Sequence, residues 1–298
     1  MKLPREVAVI GAGTMGAGIA HVFAEAGCSV RLCARRATSL EAARPRLGGH
    51  PVELTTSAEE ALAGTDFVVE TIEEAVEPKR ALFKLAEDIA APDAILTTNT
   101  SSLPLDSLAE GLERPERFAG LHWLSPPELV EVVEVVGATR TASETIDTLC
   151  AWAYALRKAA VVVRRDVRGF VTNRLQYALL REAYALVDTG VCSPADVDRA
   201  VTHGLGARWA AIGPFESMDL AGLDVHAAVA GNLFPELESG HEPPATLAKV
   251  LAEGGLGVKN GLGLRGDYEA GVVAELVDRR DRVLGGIAAL REGKETTG

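Results

Sequence analysis

The chain opens on Val7 to Ile10 and then runs directly into Gly11-Ala12-Gly13-Thr14-Met15-Gly16. A helical stretch from Met15 to Ala26 follows, ended by Gly27. A short apolar strand, glycines in the G-x-G-x-x-G spacing and a helix together leave few architectures open. Gly11 permits the tight turn, Gly13 lets the backbone approach a pyrophosphate, and Gly16 lets helix and strand pack closely. Thr14 and Met15 open the helix, where free N–H groups and the positive dipole end face an anion. The same apolar run also imitates a secretory leader, with Lys2 and Arg5 ahead of it and Ala24-Glu25-Ala26 as a cleavage-like site. The glycines inside it make a poor leader helix, and a dinucleotide loop uses them better.

Short β-branched runs alternate with helical stretches through the first half. Strands are expected at 30–33, 52–54, 67–70, 94–98, 118–122 and 130–135, with a helix from Pro78 to Ile89. Continuous apolar strands separated by helices predict a mostly parallel sheet covered on both faces. After Gly169 the pattern turns helical. Ser193-Pro194-Ala195-Asp196 reads as a capped helix start, Gly204 as that helix's stop, and Glu292 to Gly298 as a frayed tail. The expected fold is α/β: a Rossmann-type doubly wound sheet over residues 1–164, then an all-helical domain over 165–298 for substrate binding and dimerisation. Leu175–Val187 and Val272–Leu290 carry more apolar stripe than a domain of that size buries alone, which predicts a homodimer.

Thirty Lys and Arg against 42 Asp and Glu give a net charge of −12. Nucleic acid and anionic lipid both need a basic footprint, so neither is an expected partner. Four cysteines without a CxxC pair suit a reducing, cytoplasmic setting. No run reaches the roughly 20 apolar residues of a membrane span, and the six histidines show no metal-ligand spacing.

The end of the second strand discriminates between cofactors. An acid about 20 residues past the loop binds the adenine ribose 2′-hydroxyl in NAD enzymes. Here Ala34 occupies that place and Arg35 and Arg36 follow. An acid would repel a 2′-phosphate, whereas a guanidinium clamps one. The cofactor is therefore NADP or NAD, with NADP favoured; the competing reading is two solvated surface arginines.

The ordered series GAGTMGAGIA, VVETIEE…K, TNTSS, GLHWLSPP…VEVVEVV, RGFVTNR, GPFE and GVKNGLG resembles the motif set of the 3-hydroxyacyl-CoA dehydrogenase family over nearly the whole chain. The resemblance implies an oxidoreductase in which His122 and Glu134 form an acid–base dyad. The chemistry is coherent: alcohol oxidation needs a base for the hydroxyl proton, and a carboxylate on the other ring nitrogen fixes the imidazole tautomer. The resemblance further implies that Ser101 and Asn173 arrange the substrate oxygen, and that Glu74 and Lys79 lie near the cofactor. Asn99 belongs to the strand-end segment beside the nicotinamide. The substrate is a small hydroxy or oxo compound, with a thioester among the alternatives.

Three departures bear on substrate. Ser125 stands where the family usually has Asn, and Arg168 where it often has Pro. The segment Arg36 to His50 leaves room for little more than one short helix, where fatty-acyl members carry a long hairpin against CoA. His122-Trp123 followed by Pro126-Pro127, and Arg208-Trp209-Ala210-Ala211-Ile212-Gly213-Pro214-Phe215, resemble the carnitine, gulonate and pyridine-carboxylate dehydrogenase branches, with a compact or carrier-bound substrate favoured over CoA. Two other readings compete. A 6-phosphogluconate-type enzyme would need a lysine four residues before Asn173, and none is there. A catalytically silent cofactor-binding protein would not need Ser101, His122, Glu134 and Asn173 together.

Overall fold

The computed structural model describes residues 2–291; the tail expected to fray, 292–298, lies outside them. The chain divides into two compact units, Met1–Asn173 and Arg174–Gly298.

In the first unit the elements run β1 (Glu6–Ile10), α1 (Thr14–Glu25), β2 (Ser29–Cys33), α2 (Ala37–Ala43), β3 (Val52–Thr55), α3 (Ala58–Leu62), β4 (Phe67–Glu70), α4 (Val76–Ile89), β5 (Ile95–Thr98), α5 (Leu105–Leu108), β6 (Phe118–Trp123), β7 (Val132–Gly137), α6 (Ser143–Ala155) and β8 (Ala159–Val163). The eight strands form one sheet in the order β3-β2-β1-β4-β5-β6-β7-β8. All neighbours are parallel except β6 and β7. Strand order reverses between β1 and β4, the crevice where sheets of this type take a dinucleotide.

Alternation along β1 feeds two cores. Val7 and Val9 pack with Ile19, Phe23, Leu149 and Trp152 on one face. Ala8 and Ile10 pack with Leu62, Phe83 and Leu105 on the other. Burial on both faces is why the strands read as unbroken apolar runs. Between β2 and β3 stand only α2 and one 3₁₀ turn, Arg44–Leu47, as the short segment predicted.

The first unit reaches Asn173, past the division expected near 164. Phe170 is buried in the α4-side core, and the backbone N–H groups of Val171 and Thr172 donate to Glu134 at 2.9 and 2.8 Å. These contacts bind 170–173 to the sheet, although the sequence after Gly169 already reads as helix.

The second unit is helical: α7 (Thr172–Asp188, begun in the first unit's last residues), α8 (Pro194–Ala200), α9 (Gly206–Ala211), α10 (Pro214–Ala221), α11 (Leu223–Leu233), α12 (Ala245–Ala252) and α13 (Ala270–Arg291). A two-residue hairpin, β9 (Leu262–Gly263) with β10 (Gly266–Asp267), precedes α13. Ser193 and Asp196 cap α8 reciprocally, as expected. Gly204 does not stop the helix. The chain passes through a π turn, Val201–Leu205, straight into α9, so widened hydrogen bonding absorbs the glycine. Neither α7 nor α13 buries a described side chain.

Candidate active site

The glycine loop shows why each glycine stands where it does. Gly11 has φ +116°, and a Cβ there would lie 2.5 Å from Thr71 Oγ1. A Cβ on Gly16 would overlap the Gly11 carbonyl, so α1 approaches β1 only without a side chain. Nothing lies within 4 Å of a Cβ position on Gly13, which leaves that backbone open to a ligand. Thr71 clasps the loop, donating from its N–H to Ile10 O at 2.8 Å and from Oγ1 to Gly11 O at 3.0 Å.

A cleft of about 410 Å³ opens beside this loop, lined in part by Gly11, Gly13, Ala34, Arg35, Arg36 and Glu73. The open glycine backbone, the free α1 terminus and this cleft fit a dinucleotide. Arg35 is largely exposed and sits 3.2 Å from Glu73. Cys33 also lines the cleft, but burial, with Glu59 and Glu60 nearby, pushes its thiol up to about 11. Cys28 is likewise pushed to about 11 by burial; neither is a nucleophile at neutral pH.

His122 and Glu134 are direct partners across the antiparallel β6–β7 ladder. His122 Nδ1 lies 2.7 Å from Glu134 Oε2, and both residues are buried. Glu134 Oε1 takes the Val171 and Thr172 N–H groups. Burial pushes the Glu134 carboxyl up. The hydrogen bond from His122 and the two backbone bonds outweigh it and hold the group below the usual carboxylate range. An ionised Glu134 fixes the orientation of the imidazole through Nδ1. The Phe170 ring closes one side of His122, with centroids 5.5 Å apart.

The remaining sequence-predicted residues lie at the ends of β5 and β4, in α4 and at the start of α7. Asn99 follows β5; its Oδ1 accepts the Trp123 N–H at 2.8 Å, one residue from His122. Ser101 is half-buried in the next turn, and its N–H donates to Glu74 Oε1 at 3.2 Å. Asn173 is half-buried beside Thr172. Lys79 is almost wholly buried, 2.5 Å from Glu70 and 3.4 Å from Glu74.

Sequence reasoning passed over Glu70 and Lys158. A charge closing an otherwise apolar strand, Phe67-Val68-Val69-Glu70, was the available signal for the first. Lys158 gave none. It is buried, donates to the carbonyls of Pro127 at 2.7 Å and Val130 at 2.9 Å, and so pins the β6–β7 connection. Burial holds its ammonium below the usual range against the pull of Glu131, Glu128 and Glu25. His21, Glu25 and His50 bring donor atoms within 4.8 Å of one another, a grouping hidden from spacing because His50 comes from a separate loop.

Two family models match: the 3-hydroxyacyl-CoA dehydrogenase NAD binding domain over residues 6–50 and 48–167, and the C-terminal domain of the same family over 169–265. The chain belongs to the 3-hydroxyacyl-CoA dehydrogenase family. It is accordingly a nicotinamide-dependent oxidoreductase of the hydroxyl/carbonyl kind, with an NAD-binding first domain. It is 32% identical to 5-formyl-3-hydroxy-2-methylpyridine 4-carboxylate 5-dehydrogenase of Mesorhizobium japonicum, over 98% of this chain and 99% of that one. It is 32% identical to a probable 3-hydroxybutyryl-CoA dehydrogenase of Bacillus subtilis, over 89% of this chain and 98% of that one. A crystal structure of 5-formyl-3-hydroxy-2-methylpyridine 4-carboxylic acid 5-dehydrogenase, titled an NAD+-dependent dismutase, superposes with a TM-score of 0.93, covering 98% of this chain and all of that one at 32% identity. Among the described residues no helix is long and apolar enough to cross a membrane.

Proposed function

We propose that this family member interconverts a compact, non-CoA hydroxy compound and its carbonyl, with His122 and Glu134 as the acid–base dyad. The observation that carries the reading is the buried 2.7 Å contact between His122 Nδ1 and Glu134 Oε2. Glu134 holds the proton on Nδ1, which leaves the other ring nitrogen to take the hydroxyl proton in oxidation and return it in reduction. Ser101 and Asn173 flank the substrate oxygen, and Asn99 anchors the turn that carries Ser101. The nicotinamide, when bound, supplies or accepts the hydride. Gly11, Gly13, Thr14, Met15 and Gly16 hold its pyrophosphate. Ala34, Arg35 and Arg36 favour a 2′-phosphate, hence NADP, because no acid closes β2 and two guanidinium groups line the cleft.

A compact substrate is supported by the short α2 segment, which offers no hairpin for a CoA moiety. It is supported also by the Mesorhizobium japonicum relative, which matches over nearly its whole length and is named for a pyridine carboxylate substrate. A second copy of the chain covers the helical unit, where Phe215 is 86% and Leu220 79% exposed. Four unpaired cysteines suit a cytoplasmic setting.

The test is NADPH and NADH oxidation with acetoacetyl-CoA, a free 3-oxo acid and an aromatic aldehyde carboxylate. Turnover is expected with the free acids or the aldehyde, and His122→Gln should abolish it while NADPH still binds. Normal turnover by His122→Gln would refute the dyad. Wild-type protein that binds cofactor and turns over nothing would favour the catalytically silent reading.

A further inference from the structure

A chain of polar contacts, buried at Thr98, Glu70 and Lys79 and reaching the surface at Glu74, runs from β5 through β4 and α4 and back to the turn after β5. Thr98 Oγ1 donates to Glu70 Oε2 at 2.6 Å. Glu70 Oε1 accepts from Ile72 N–H at 2.6 Å and from Lys79 Nζ at 2.5 Å. Lys79 Nζ also faces Glu74 Oε2 at 3.4 Å. Glu74 Oε1 then accepts from Thr100 Oγ1 at 2.5 Å, Ser102 Oγ at 2.9 Å and Ser101 N–H at 3.2 Å. The relay begins at Thr98 and ends on 100–102, so it encloses Asn99. The Asn99 N–H itself donates to the Glu70 carbonyl at 2.9 Å.

Glu70 is wholly buried and Lys79 is 1% exposed. A buried ion pair is weak evidence for stability, because well-packed apolar side chains of similar volume do as well without the desolvation cost. Its geometry is what apolar side chains cannot reproduce. One carboxylate registers β4 against β5, one ammonium bridges to a second carboxylate, and that carboxylate collects three donors from a single turn. The turn carries Asn99 and Ser101, which the proposed oxidoreductase site uses.

We propose that Glu70 and Lys79 are positioning residues for the reaction: they hold Glu74, and through it the 99–102 turn, in its reactive geometry. The inference rests on the oxidoreductase reading above. Burial pushes the Glu70 carboxyl up against the pull of Lys79, Thr98 and Ile72, so removing Lys79 alone leaves Glu70 buried without its cationic partner.

The experiment compares wild type with Lys79→Met, the double variant Glu70→Gln/Lys79→Met, and Glu74→Gln. It reads Tm, NADPH affinity, kcat and the exchange of the Ser101 and Ser102 amides. Lys79→Met alone should lose both stability and rate. The double variant carries no stranded charge and keeps the acceptor for Thr98, so its Tm should return to within a few degrees of wild type. Its kcat should stay more than tenfold down, and its 101–102 amides should exchange faster. A double variant with kcat within tenfold of wild type would mean the pair is merely structural and would overturn the proposal. Glu74→Gln disturbs the same turn and neutralises the second carboxylate facing Lys79, while Glu70 still pairs with the ammonium. It should lower kcat by more than tenfold and speed exchange of the 101–102 amides, and a kcat within tenfold of wild type or a change confined to NADPH affinity overturns the proposal. Should wild type turn over none of the substrates offered, the oxidoreductase reading falls by itself. Amide exchange in the double variant then decides, with unchanged protection counting against the relay.

Discussion

Replacing Glu134 by Gln changes one atom and should disable the dyad. In the native site Oε1 takes two backbone N–H groups, at 2.9 and 2.8 Å, and Oε2 faces His122 Nδ1 at 2.7 Å. A glutamine has one acceptor and one donor end. Turned the wrong way, its NH₂ meets the Val171 and Thr172 donors and strands them, at about 1–3 kcal/mol each. The amide oxygen therefore faces the two N–H groups and the NH₂ faces His122. Nδ1 must then accept, which moves the ring proton to the other nitrogen, where the substrate proton has to land. A wrong tautomer of this kind lowers kcat on the order of 10⁴-fold, or about 5.4 kcal/mol at about 1.36 kcal/mol per tenfold. The assay is steady-state NADPH oxidation by wild type and Glu134→Gln, with NADPH affinity measured on both to show an intact first domain. A Glu134→Gln protein whose kcat lies within tenfold of wild type would refute the tautomer argument.

Three other outcomes follow from the same geometry. Arg35→Ala/Arg36→Ala should raise the KM for NADPH by about 10- to 100-fold, the worth of one charge-assisted contact, and leave that for NADH nearly unchanged; a wild type that clearly prefers NADH would count against a 2′-phosphate site. Glu134 has its carboxyl held below the ordinary 4.5, so its stabilising share is complete above that value and is lost as pH falls through the lower folded-state value. The Tm gap between wild type and Glu134→Gln should be flat from pH 7 to 5 and shrink below 4.5, and a gap that widens in acid would be inconsistent with this. Light scattering behind size exclusion should give twice 31.3 kDa, and Phe215→Glu should shift it toward one chain; a monomeric wild type at micromolar concentration would remove the dimer.

Most of the sheet was legible because both of its faces are buried, so each strand announces itself as an apolar run. The glycine loop was legible because Gly11 and Gly16 admit no side chain, and the His122–Glu134 contact because the two residues lie on apolar strands adjacent in the chain. What could not be read was whatever depends on elements meeting in space. Lys79 is placed near the cofactor by the resemblance, but its burial and its pairing appear only once Glu70 is set beside it. Lys158 reads as the polar end of a turn until the Pro127 and Val130 carbonyls arrive. Gly204 has the composition of a helix stop, yet a π turn carries the chain past it. The extent of the first unit depends on Phe170 and on two N–H groups that find their acceptor 37 and 38 residues back.

His122 and Glu134 sit opposite each other in a ladder whose register backbone hydrogen bonds set on both sides. The separation of the dyad is therefore a property of the sheet, and the stretch 124–131 that joins the two strands does not determine it. That connection can change in length while the pair keeps its spacing, provided Lys158 still finds its carbonyls. A one-residue slip in the ladder would turn one partner to the other face and abolish the pair at once. The spacing of the pair is thus insulated from drift in the loop beside it.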